Sequence, residues 1–151
     1  MDMTGEERIS APRDAVWAAL NDPEVLRDCI PGCTLLEWTS PTTLDAVVTV
    51  KFGFMSMAFS GVITLSNMNP PESYTISGEG KGGLAGYAKG GADVRLIEDG
   101  DETILQYAIA ADVSGKIASL GSKLVQSGAN RIASRFFSDF TAAANAKAAA
   151  A

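Results

Sequence analysis

No histidine occurs among the 151 residues. Its absence excludes Ser-His-Asp and Cys-His catalytic arrangements, His-ligated zinc or haem, and the side chain that most often serves as general base near neutral pH. An enzymatic reading is left with carboxylates, lysine, tyrosine or a cofactor. Cysteine is nearly as scarce, with only Cys29 and Cys33, in Cys29-Ile30-Pro31-Gly32-Cys33. Two thiols cannot close a structural zinc site. The acidic amino terminus carries no apolar leader, so the expected location is cytoplasmic and the thiols are expected to stay reduced and partly buried. No apolar run approaches the roughly 18 residues of a membrane span. No cluster of basic residues stands out, and 12 Lys plus Arg stand against 18 Asp plus Glu, a net charge of −6. Nucleic acid is therefore not an expected partner, since its affinity comes mostly from basic groups that neutralise phosphates.

What is present suits one globular domain. Hydrophobic residues make up 46% and charged residues 20%, close to globular averages, so the chain can build a core with room for a cavity. A first strand lies within residues 4 to 10. Pro12 then opens a helix in which Val16, Trp17, Ala19 and Leu20 recur at helical spacing. Asn21-Asp22-Pro23 ends it and starts a second helix, with Asp22 as N-cap and Pro23 as first residue, running to about Cys29. Ile30-Pro31-Gly32 breaks that helix.

From Cys33 to Val113 the pattern is that of strands. Leu35–Trp38, Thr43–Phe52, Met55–Leu65, Tyr74–Gly80, Leu84–Ile97 and Thr103–Val113 are rich in β-branched and apolar residues and bounded by turn signals. Connections this short predict antiparallel neighbours in one six-strand meander, with the first strand added at an edge. From about Ser114 the period becomes helical for some 30 residues. Ile117, Leu120, Leu124, Gly128, Ile132, Phe136 and Phe140 form one apolar stripe, with Lys116, Lys123 and Arg135 on its solvated flanks. The last ten residues hold eight alanines, Asn145 and Lys147. The expected organisation is a domain over residues 1–144 and a fraying Ala-rich extension over 145–151.

This order predicts an α+β helix-grip fold: a curved seven-stranded antiparallel sheet around the long final helix, with two short helices after the first strand. Such an arrangement leaves a cavity between sheet and helix. Seven of the 15 glycines fall within residues 78–91, and Gly78-x-Gly80-x-x-Gly83 formally matches a dinucleotide fingerprint. The context rejects that match, because a strand rather than a helix follows. With Val94 and Leu96 facing inward, the same face runs back through Ala92, Gly90, Ala88, Gly86 and Leu84. Tyr74 and Ile76 lead likewise to Gly78 and Gly80. The middle of the concave face therefore carries almost no side-chain volume. Either the glycines permit sharp curvature and close packing of the helix, or they leave room for an apolar ligand, and both can hold at once.

Facing these glycines, Met55, Met57, Phe59, Ile63 and Leu65 recur with period 2, as do Leu105, Tyr107, Ile109 and Ala111. Methionine adapts to a flexible or aromatic guest. The expected cavity lining is Met55, Met57, Phe59, Tyr74, Gly78, Gly86, Ala88, Gly90, Tyr107, Ile109, Leu120, Leu124, Gly128, Ile132 and Phe136. Trp17 and Trp38 read as packing residues. No nucleophile lies beside a base, and no metal-ligand pattern is present. Glu79 and Asp112 lie in strands and read as solvent-facing, leaving Tyr74, Tyr87, Tyr107 and Glu79 as the only residues on which cavity chemistry could rest. Lys81 and Lys89 flank the glycines, either as solvating charges or as a docking patch.

Several blocks, in order, resemble CoxG, a family of carbon monoxide dehydrogenase subunits within the START-like (SRPBCC) helix-grip superfamily. They are Asp22-Pro23-Glu24-Val25-Leu26, Cys29-Ile30-Pro31-Gly32-Cys33, Val50-Lys51-Phe52-Gly53, the Pro70-Pro71 turn, Gly78-Glu79-Gly80-Lys81-Gly82-Gly83 with Ala88-Lys89-Gly90, and Leu120-Gly121-Ser122-Lys123-Leu124. The resemblance spans about residues 4 to 141. It implies a non-catalytic accessory protein of a molybdenum hydroxylase of the carbon monoxide dehydrogenase type. Such a protein helps membrane recruitment or electron transfer and holds a hydrophobic small molecule, a quinone or other lipid, with no covalent cofactor and no metal. Many members carry a longer tail with an apolar or amphipathic anchor, whereas this chain ends in alanines, so membrane contact is expected to be peripheral and made through partners. The alternatives are a cyclase- or hydrolase-type helix-grip enzyme and a purely protein-binding module.

Overall fold

The computed structural model describes residues 2–52 and 55–150, except for the side chains of Phe52, Met55 and Ala150. Strand β1 (Asp2–Ile9) is followed by helices α1 (Arg13–Leu20) and α2 (Pro23–Cys29). Then come β2 (Cys33–Ser40), β3 (Thr43–Phe52), β4 (Met55–Asn69), β5 (Ser73–Lys81), β6 (Tyr87–Asp99) and β7 (Glu102–Ser114), and the chain closes with α3 (Ser122–Ala150). The sheet order is β1-β7-β6-β5-β4-β3-β2, antiparallel throughout. The meander and the edge placement of β1 are as the sequence predicts.

Local chemistry sets the helix starts. The Asp22 carboxylate accepts the Glu24 backbone N–H at 3.0 Å, and Pro23, which lacks an N–H, takes the first helical position of α2. Pro12 is the extended N-cap of α1 rather than a residue of its first turn, and its carbonyl accepts the Val16 N–H at 3.1 Å.

Two apolar clusters lie between sheet and helices. The larger joins Val16, Ala19 and Leu20 of α1 and Leu26 and Cys29 of α2 to Leu44, Leu65, Tyr74, Val94 and Leu105 on the concave face of the sheet. Phe137, Phe140 and Ala144 of α3 close it. Phe140 is completely buried, and burying such a side chain contributes roughly 1.5–3 kcal/mol. The smaller cluster, Met57, Phe59 and Ile117, sits at the other end of the sheet with Val50, Ala88, Val113 and Leu120 against it. Between the two the concave face is floored by glycine and alanine.

Three differences from the sequence reading have local causes. Leu84 is not in a strand: Gly83–Ala85 is a 3₁₀ turn, closed by Gly82 N–H donating to the Gly86 carbonyl at 2.8 Å, and Leu84 is 92% exposed. The final helix is not continuous from Ser114, since Ala118–Leu120 forms a separate 3₁₀ turn and Gly121, at φ +96°, starts α3 afresh. Residues 145–150 continue α3 instead of fraying. Asn145 Oδ1 accepts the Ser10 N–H at 2.9 Å, and Lys147 Nζ donates to Asp22 at 3.0 Å. The alanine-rich stretch is thereby docked on the corner between β1, α1 and α2.

Candidate functional site

A cavity of about 310 Å³ occupies the glycine floor between the two clusters. It stands at the lower end of the roughly 300–1,000 Å³ typical of ligand pockets. Register places its inward residues in two rows across the sheet. Gly61, Gly80, Ala88 and Val113 face each other in one row, and Ile63, Gly78, Gly90 and Ala111 in the next. Ala46, Val48 and Phe59 complete the apolar wall. Polar residues at the cavity, Glu79, Lys89 and Asp112, occupy the alternate positions, are exposed, and form one cross-strand row with Val62 on the convex face.

The two accounts of the glycines can be separated position by position. At Gly61 a methyl would overlap the Glu79 carbonyl oxygen on the neighbouring strand, so glycine there is required by the backbone. Gly86, at φ +108°, abuts Ser114 and Gly115 and closes a turn, again a backbone requirement. Gly78 differs, because a methyl there would come no closer than 3.8 Å to any heavy atom, and its backbone is not in the left-handed region. Nothing in the packing demands glycine at 78, and what its missing side chain leaves is cavity volume.

The expected lining residues divide among several places. Phe59, Gly78, Ala88 and Gly90 line the cavity. Met57 is buried beside Phe59 in the smaller cluster, with Leu120 packed against it. Tyr74, Tyr107, Ile109 and Phe136 belong to the larger cluster: the Tyr74 ring meets Trp17 edge-on at 5.3 Å, and Tyr107 stacks on Phe137. Gly86 lies in the turn before β6, outside the cavity wall. On α3, Leu124 is 38% exposed while its neighbour Val125 is buried, Gly128 is buried, and Ile132 borders a separate cleft. The Met55 side chain lies outside the described residues. Lys81 and Lys89 are exposed, with Lys89 paired in register with Glu79 on the convex face. Gly80 and Ala111, read from the alternation along β5 and β7, also line the cavity, while Ala46, Val48 and Gly61 line it without being expected there. The signal of these last three is inward residues at alternate positions on β3 and β4, legible only once the register is known.

Ionisable groups are sparse at the cavity. Burial pushes the Tyr74 phenol well above its ordinary range, and burial with the nearby Glu7 charge pushes Tyr107 up. Both rings belong to the larger core, and neither lines the glycine floor. Tyr87 occupies the same strand parity as Lys89, on the convex side. Burial also raises both thiols, Cys29 and Cys33, which keeps them protonated, and the Cys33 thiol donates to the Leu35 carbonyl at 3.3 Å. A thiol is a poor nucleophile or metal ligand in that state. Among the described residues no cluster of three or more Cys, Asp or Glu could hold a metal ion, and no helix is long and apolar enough to cross a membrane. The arrangement can hold an apolar molecule. The cyclase or hydrolase reading needs a carboxylate or tyrosine aimed into the cavity, and none of the four named residues is so placed.

A sequence profile for CoxG, described as a carbon monoxide dehydrogenase subunit, matches residues 5–145. No curated protein sequence matches significantly. Among solved structures, a conserved protein from Geobacillus kaustophilus superposes with a TM-score of 0.87 at 25% identity, covering 95% of each chain. A START superfamily protein from Mycobacterium smegmatis is similar at a TM-score of 0.63 and 14% identity, covering 97% of this chain and 96% of its own. The ZhuI aromatase/cyclase from Streptomyces sp. R1128 is similar at 0.65 and 14%, covering 95% of this chain and 93% of its own. The latter two likenesses establish the START-like helix-grip architecture and nothing about chemistry.

Proposed function

Because the chain belongs to the CoxG family of carbon monoxide dehydrogenase subunits, we propose that it is a non-catalytic accessory protein of a molybdenum hydroxylase and that it holds a quinone over the glycine floor of its sheet. The observation that carries the ligand part is Gly78, a glycine that packing does not require, at the centre of an apolar cavity of about 310 Å³. A flat ring suits a floor made of backbone and methyl groups, since it can approach closely enough for dispersion contacts over its whole face. The apolar walls, Phe59, Ile63 and Val113, would bury the ring edge and the first part of its chain.

The partner part is supported by the family to which the chain belongs. Lys81 and Lys89 stand on the convex face, on the side of the sheet away from the cavity, and docking of the enzyme there would leave the ligand site free. Association through that enzyme would also bring the protein to the cytoplasmic face of a membrane.

Organic-solvent extraction of the purified protein followed by mass spectrometry tests the ligand claim. A quinone recovered in near-stoichiometric amount is the expected result. Recovery of no lipid, together with no saturable response to added quinone, would overturn it.

A further inference from the structure

Beside the cavity, between α3 and β3, lies a second cleft of about 240 Å³. Its walls include Gly32 in the turn after α2, Val50 and Lys51 of β3, and Arg131, Ile132 and Arg135 of α3. Two arginines of an acidic protein stand at this cleft, whereas Lys51, alternate to the inward Val50 on β3, directs its side chain to the other face of the sheet; among the described residues no carboxylate lines the cleft. Arg131 and Arg135 are one helical turn apart, a spacing at which like charges repel. The Arg135 guanidinium reaches Asp139 only at 3.8 Å, further along the helix, and among the described residues no ion pair engages Arg131. A concave site of one sign concentrates counter-charge, and guanidinium groups favour the paired oxygens of phosphate and carboxylate.

The position of the cleft gives it a further property. Val48 lines the glycine-floored cavity and Val50 lines the cleft, two residues apart on one strand and therefore on one face, roughly 7 Å from each other. The Thr49 N–H donates to the Gly32 carbonyl at 2.9 Å, which fixes the turn as the back wall of the cleft. An apolar floor thus adjoins a cationic pocket, with Ile132 and Val50 as its apolar members.

We infer that the cleft receives the anionic head group of an amphiphile whose hydrocarbon chain lies over the glycine floor, a ligand class distinct from a neutral quinone. This inference rests on the reading that the concave face holds an apolar guest. It adds that Arg131 and Arg135 select for an oxyanion at one end of that guest.

The test uses the whole chain with three probes below their aggregation concentrations: dodecyl phosphate, dodecanol and inorganic phosphate. Dodecyl phosphate is expected to bind about tenfold more tightly than dodecanol, the scale of one or two solvent-accessible charged contacts, and to lose that preference as salt is raised. In the double variant Arg131→Gln, Arg135→Gln the two alkyl probes should bind alike, while quinone affinity and melting temperature stay unchanged, since both side chains are exposed. Equal binding of the two alkyl probes by the wild type, or a preference that survives in the double variant, would overturn the inference and leave the quinone site standing. Inorganic phosphate bound as tightly as dodecyl phosphate would also overturn it, by showing a free-phosphate site unconnected to the cavity. Failure of quinone and dodecanol alike to bind would instead sink the underlying cavity reading, and this inference with it.

Discussion

The rings of Tyr107 on β7 and Phe137 on α3 stack with centroids 3.9 Å apart and only 8° between their planes. Phe136 meets Phe137 edge-on at 4.9 Å and lies over Phe140 at 5.9 Å, so one aromatic group fixes the C-terminal half of α3 to the sheet. The glycine floor begins two strand positions beyond Ile109, at Ala111, where that aromatic packing ends. Replacing Phe137 by Ala should cost about 3–5 kcal/mol in chemical denaturation, as for other buried aromatics, and Phe137→Leu should recover part of that loss.

Gly61 and Gly78 give opposite predictions for the same substitution. Gly61→Ala places a methyl on the Glu79 carbonyl and should destabilise the protein by roughly 1–3 kcal/mol through forced backbone movement. Gly78→Ala should be neutral or stabilising by about 0.4–1 kcal/mol, because the methyl meets Ile63 and the Val62 carbonyl only at ordinary contact distance, 3.8 Å, and the unfolded chain loses freedom. Thermal melts of the two single variants, measured side by side, decide the point.

The helix phase shows where sequence pattern stops being sufficient. The apolar stripe from Ile117 to Phe140 is present in the sequence, yet Gly121 interrupts it, and the restart at Ser122 turns Val125 inward and Leu124 outward. Likewise Leu84 continues the alternation of β6, but its backbone is claimed by a turn. The Ala85 carbonyl accepts the Ile117 N–H at 2.8 Å, a contact 32 residues away that no local pattern encodes. By contrast, α2 is legible to the residue, since Asp22 and Pro23 carry its start in their own chemistry. The Gly78–Gly90 part of the site is legible for the same reason, as strand alternation is local. Gly61 and Ala46 become visible only through register.

Lys147 ties the end of α3 to Asp22, whose carboxyl is held below its usual range by the lysine ammonium and by the Glu24 N–H. The stabilisation is therefore present above the unfolded carboxylate value of about 4 and is lost as pH falls below it. Both partners are partly exposed, so Lys147→Ala should cost under about 1 kcal/mol at pH 7 and progressively less as pH falls below about 4, as read by urea denaturation across that range.

Tyr74 acts at the alkaline end. Its folded value is raised by burial, so the native state keeps the phenol proton while the unfolded chain releases it above about pH 10. Stability should be unaffected below that pH and fall as pH rises past it, and Tyr74→Phe should flatten part of that decline. Denaturation midpoints at pH 9 and pH 11 for both proteins provide the measurement.

The ligand-holding floor is tested most directly by calorimetric titration of a short-chain quinone into the wild type and Gly78→Leu. The substitution grows a side chain into the cavity from a position where the first carbon meets nothing closer than 3.8 Å. Saturable one-to-one binding to the wild type, abolished in a variant whose melting temperature is unchanged or raised, is the result predicted. Equal binding by the two proteins, or none by the wild type, would contradict a ligand site over Gly78.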